Sequence, residues 1–198
     1  MQEHFQFDRE KFKDVVHYVV HHVCVEYDPE VLGNTKLHKI LYYSDMLRYL
    51  DTGSPLTGVD YQRQRFGPTA RHLASALREL EVEGRVSVTT RNYYGYSKSE
   101  YHALTKPDLS RLSATDIPLI EDIVGFVCAR TATEISDFSH DDVWSSVPMG
   151  GRIPYYAAFA MFPAEITDED VEEAADEAVR ISPLIEAEQR GGSIYGTG

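Results

Sequence analysis

The stretch from Thr35 to Val86 constrains the chain most, because it carries two apolar helical periods around one short extended run. From Lys36, apolar residues recur at Leu37, Ile40, Leu41, Met46, Leu47 and Leu50, the spacing of one helix face. Asn34 and Thr35 precede it and can cap the opening turn, since their side-chain oxygens accept its orphan amide protons. The run Asp51 to Pro55 ends it, because Gly53 tolerates a left-handed exit and Pro55 cannot continue a helix. Val59 to Phe66 alternates as a short strand. Gly67-Pro68 then reads as the opening of a second helix, with proline where its missing N–H is not needed. That helix buries Leu73, Leu77, Leu80 and Val82 and ends at Gly84. Lys36, His38, Lys39 and Arg48 fall on the polar side of the first helix. They read as a solvated face, with a basic contact face as the alternative.

Upstream, Asp8 to Glu26 forms another helix, and Phe12, Val15, Val16, Val19, Val20 and Val23 give it an apolar face broad enough to pack on more than one side. His17, His21 and Cys24 share one stripe of it, a spacing a metal could use. The segment lacks the glutamate of HExxH and no second ligand cluster accompanies it, so the histidines read as seam or solvent residues and no metal or cofactor is expected.

After Gly84, Arg85 to Thr90 alternates and is β-branched, Asn92 to Lys98 reads as a hairpin tip, and Glu100 to Leu104 returns. Helix, short strand, helix and hairpin follow in the order of a winged helix-turn-helix. The wing carries Tyr93, Tyr94, Tyr96 and Tyr101 beside Arg91. Tyrosine offers a large contact area and a polar tip at low rotamer cost, as protein interfaces favour, so these five are the candidate partner-binding residues. Base stacking and cross-strand packing are the other uses of such rings.

The second half is helical. Ser113 to Asp116 supplies capping chemistry before Ile117, Ile120, Ile123, Val124, Phe126 and Val127, a helix expected to be buried. Thr131 and Glu134 have the spacing of a capping box, with Ile135 and Phe138 on the apolar side. His140 and Trp144 are i, i+4 neighbours expected to fix a corner of the packing rather than to catalyse. Tyr155 to Phe162 reads as helix, with strand as the alternative. Ile166 to Gln189 is an acidic helix with a thin apolar stripe, and the tail from Gly191 is expected to be disordered. The fold class is thus mainly α with a small β-hairpin (α+β), a helical core holding a winged-helix-like unit. One domain spans 1–162, an acidic C-terminal helix 163–190 and a tail 191–198.

Net charge is −13 and no dense Lys/Arg run exists, which opposes reading of duplex DNA and suits a basic protein partner. Cys24 and Cys128 stand in apolar helical stretches with no secretory leader ahead of them, the pattern of reduced thiols in a cytoplasmic protein. No apolar run approaches the roughly 20 residues of a membrane span.

KLHKILYYSDMLRYLDTGSPLTG with the later FGPTA resembles the opening motif of the Panacea (SocA-like antitoxin) domain, and Thr133 to His140 followed by Trp144 is similar to its closing signature. The matches and the chain between them cover roughly positions 12 to 162. The resemblance assigns structural motif roles to Lys36, Leu37, Lys39, Leu41, Tyr42, Phe66, Gly67, Pro68, His140 and Trp144. It implies a non-enzymatic antitoxin that binds its cognate toxin directly; a relative instead delivers the toxin to a protease as an adaptor. A protease partner and self-association stay open, and a winged-helix DNA-binding regulator is the alternative.

Overall fold

In a computed structural model, residues 5–93 and 96–161 are described. The expected acidic helix at 163–190 and the tail 191–198 lie outside them. Helix α1 runs Arg9–Glu26, and its cap is Asp8, whose carboxylate accepts the Lys11 amide at 2.9 Å. Phe12, Val15, Val16, Val19, Val20 and Val23 are all in the core. A 3-10 turn at Pro29–Val31 leads to α2, Asn34–Thr52, which ends at Gly53 in the left-handed region, φ 70°.

Helix α2 is central among the described residues, packed by α1 and by several elements further along the chain. Strands β1, Tyr61–Gln64, and β2, Gly67–Ala70, form a tight hairpin with Gln64 opposite Gly67. Helix α3, Leu73–Val82, precedes the hairpin of β3, Val86–Tyr93, and β4, Tyr96–Ala103. Helices α4, Asp116–Cys128, α5, Ala132–Phe138, and α6, Asp142–Ser146, follow. Strand β5, Arg152–Ile153, then joins β1 on the side away from β2, giving the antiparallel order β2-β1-β5. A 3-10 turn, Tyr155–Ala157, and α7, Ala158–Met161, close the described chain. The fold is mainly α with small antiparallel sheets.

Several expectations are met at the level of single bonds. Thr131 and Glu134 make both bonds of a capping box. Asp141, not among the expected caps, accepts the Trp144 amide at 2.7 Å and caps α6. Cys24 and Cys128 are unpaired and half-buried. No helix among the described residues is long and apolar enough to cross a membrane.

Others are corrected. Gly67-Pro68 does not open a helix: Gly67 has φ 92° and closes the β1–β2 turn, and Pro68 sits on an edge strand, where a missing N–H is tolerated. Asn34 and Thr35 do not cap α2; Gly33 takes the cap position without a side-chain bond, and the Asn34 amide oxygen instead accepts from the Tyr101 hydroxyl at 3.2 Å. Lys36 and Lys39 are buried rather than solvated, because a central helix is covered on several sides and a one-face periodicity argument assumes only one. Val82, Phe126 and Phe138 are exposed where burial was expected.

Candidate partner-binding site

The two motif segments, Lys36 to Ala70 and Thr133 to Trp144, meet around one lysine. Lys39 on α2 is 1 % exposed and donates its ammonium to the Pro68 carbonyl at 3.0 Å. Gly67, the residue before, lies so close that an added Cβ would overlap Lys39 Nζ and Ser139 Oγ and stand 2.9 Å from Lys39 Cε. Ser139 is fully buried and bonds the Ser136 carbonyl at 2.7 Å. Next to it, His140 stacks on Trp144 with ring centroids 4.0 Å apart, and the Arg63 guanidinium covers the indole at 3.9 Å. The indole N–H donates to the Gln64 carbonyl at 3.2 Å, so the closing signature is tied to the end of β1. His140 Nε2 is buried and has no hydrogen-bond partner among the described residues.

Beside this junction lies a cleft of about 380 Å³ whose wall includes Thr35, Arg65, Phe66, Ser136, Asp137 and His140. Phe66, at the tip of the β1–β2 turn, is exposed and lies under the Arg65 guanidinium. Leu37, Leu41 and Tyr42 are core residues, and the Tyr42 hydroxyl reaches Met161 Sδ at 3.2 Å. Lys36 is buried with its ammonium 3.4 Å from the Cys128 carbonyl. Most of the motif residues are therefore buried; Phe66 is exposed, and His140 and Trp144 are half-buried.

Burial sets the protonation of the junction. It pushes Lys39 down from its ordinary 10.5 to about 7, with no carboxylate to oppose it. His38 is driven down to about 3 by burial and by Lys39; its Nδ1 accepts the Ala70 amide, as a neutral ring must. For Lys39 the unfolded chain binds more protons than the folded one between about pH 7 and pH 10.5, so stability rises with pH through that window and is lost as pH falls towards 7. Denaturant unfolding at about pH 7 and pH 9.5 should show this rise, and Lys39→Met should flatten it. A Lys39→Met chain with the wild-type slope would contradict the assignment.

In the histidine stripe of α1, His17 is tied to the surrounding fold. His17 is fully buried, donates from Nε2 to the Thr105 carbonyl at 3.0 Å and accepts from Arg85 at Nδ1 at 3.2 Å, so both ring nitrogens are engaged. Burial, and then the Arg85 charge, hold it below the ordinary histidine range. Cys24 approaches the Tyr101 carbonyl instead of His17. No group of three or more His, Cys, Asp or Glu among the described residues is arranged to hold a metal ion.

The hairpin candidates divide. Arg91 is exposed and pairs with Glu30 at 3.2 Å and Glu100 at 3.0 Å. Tyr93 and Tyr96 form the last backbone rung of the hairpin, and Tyr94 lies outside the described residues. Tyr101 is 2 % exposed and packs against α1 and α2, so it leaves the contact set: its strand position faces the helices, as alternation along β4 requires. Sequence reasoning missed Asp45, Arg63 and Ser139. Asp45 could have been marked as a carboxylate inside the apolar run of α2, whereas Arg63 and Ser139 stand among polar neighbours that give no such signal.

Among the described residues, a helical core with two small antiparallel sheets, its two motif segments meeting at Lys39, describes the class. Compared with known families, residues 37–145 match the antitoxin SocA-like Panacea domain, more than half of the 198 residues. The chain belongs to that family, whose members are antitoxins and so imply a toxin partner in general. Neither the curated proteins nor the solved structures give a match.

Proposed function

We propose that this chain is the antitoxin of a two-gene toxin–antitoxin pair and neutralises its cognate toxin by binding it directly. Family membership over residues 37–145 carries the reading. The burial of Lys39, Ser139 and Tyr42 supports it, because the motif then builds a scaffold and leaves recognition to what surrounds it. The contact surface is the tip of the β3–β4 hairpin, with Arg91, Tyr93, Tyr94 and Tyr96. A net charge of −13 favours a basic partner through steering.

A winged-helix DNA reader fits less well. The helix before the wing, α3, turns Arg78 outward beside Glu79 and Glu81 and carries no basic residue in its last turn, whereas groove entry needs phosphate-neutralising charge.

Co-expression with the product of the adjacent gene tests the proposal. Growth arrest by that product alone should be relieved by this chain. Replacing Tyr93, Tyr94 and Tyr96 together by alanine should weaken the complex by about 2 kcal/mol or more, as for aromatic anchors, without lowering the melting temperature. A triple variant that binds like the wild type would remove the hairpin tip from the interface.

A further inference from the structure

Among the described residues the β3–β4 ladder is a two-stranded sheet, so each strand has one outer edge. That of β4 lies against α1 and the 3-10 turn at Pro29–Val31. That of β3 is open: Thr89, Thr90 and Arg91 are exposed. Hydrogen-bond parity says which backbone groups it offers. The Leu104 amide donates to the Arg85 carbonyl at 2.9 Å, continuing the register in which Val86 faces Ala103. In an antiparallel pair the bonded positions alternate, so Ser87, Thr89 and Arg91 bond towards β4 while Val88 and Thr90 turn their N–H and C=O outward.

The Val88 amide shows this directly. It donates 3.0 Å to Glu81 Oε1, a carboxylate from the last turn of α3. That oxygen occupies the place where a neighbouring strand's carbonyl would sit. Two rungs' spacing along, no described residue bonds the Thr90 N–H or C=O. Glu81 has no ion-pair partner among the described residues.

We propose that the outer edge of β3 at Val88 and Thr90 takes an extended, cation-bearing segment of the toxin as an added strand, its carbonyl replacing Glu81 on the Val88 amide and its Lys or Arg side chain pairing with the released carboxylate. Strand addition draws its affinity from main-chain bonds, which an unpaired edge supplies ready-made. The charge argues for this occupant over a second copy of the chain, since two bodies of net charge −13 repel and would bring Glu81 towards Glu81. The inference rests on the antitoxin reading and extends its interface from the hairpin tip along the strand.

The test uses the full chain with the purified product of the adjacent gene. Thr90→Pro deletes the outward N–H while leaving the β4 ladder, which uses neither polar group of residue 90; Thr90→Val keeps it. Titration calorimetry should show Thr90→Pro weakened about tenfold or more and Thr90→Val unchanged. Amide exchange gives a second readout: Thr90 should exchange freely in the isolated chain and slow in the complex, while Thr89 and Arg91 are protected in both. Equal affinity of Thr90→Pro and wild type, or a Thr90 amide whose exchange the partner does not slow, overturns the edge proposal and leaves the antitoxin reading standing. Absence of any wild-type complex overturns both.

Discussion

A Gly67→Ala chain should be less stable than the wild type by about 3 kcal/mol, lowering the melting temperature by roughly 10 °C for a domain of this size. Two independent effects add. At φ 92° an alanine sits in backbone space that L residues rarely adopt. Its Cβ would also overlap Lys39 Nζ and Ser139 Oγ. The lysine stem can swing, but Ser139 is fully buried and held by the Ser136 carbonyl, so the overlap is only partly relieved. The same substitution pries the two motif halves apart, and the stack of His140, Trp144 and Arg63 should loosen with it. Tryptophan fluorescence reports this, because Trp144 is the only tryptophan in the sequence. A Gly67→Ala chain within about 1 kcal/mol of wild type would contradict the close approach at Gly67.

Asp45→Ala should be at least as damaging, at about 4 kcal/mol. Asp45 is fully buried in the middle of α2 and accepts three bonds at 2.7 Å: the Thr57 amide, the Thr57 hydroxyl and the Tyr61 hydroxyl. Burial raises its pKa while these donors pull it back, so the carboxylate and its partners form one unit. Truncation leaves all three donors without an acceptor in a buried site and removes what pins the 54–60 loop and the start of β1 to α2. Asp45→Asn keeps an acceptor and should lose roughly half as much. Chemical denaturation of both variants decides it. Near-equal losses for Ala and Asn would place the energy in the charge rather than in the hydrogen bonds.

Elements that depend on local chemistry were legible in the sequence. The valine-rich face of α1, the Gly53 exit of α2, the capping box at Thr131 and Glu134, and the His140–Trp144 pair all act within a few residues. What depended on partners far along the chain was not legible. Lys36 and Lys39 look solvent-facing until α4, α5 and β2 close over α2. Gly67-Pro68 has helix-opening chemistry, and only its pairing with β1 makes it a strand. Tyr101 and the tip tyrosines are alike in sequence; burial separates Tyr101 from Arg91, and the edge of β3 needed the ladder's parity. Phe126 and Phe138 follow a helical period, yet their rings, 5.3 Å apart, meet edge to face at the surface with Arg130 over Phe126.

The proposed antitoxin role requires the chain to act by binding. Purified toxin, taken as the product of the adjacent gene, should be assayed for its own activity while this chain is titrated in. The account predicts that inhibition saturates at a fixed stoichiometry and follows complex formation measured in the same samples, with no third component added. Toxin activity that stays constant at saturating amounts of this chain, with no complex on a sizing column, would contradict it.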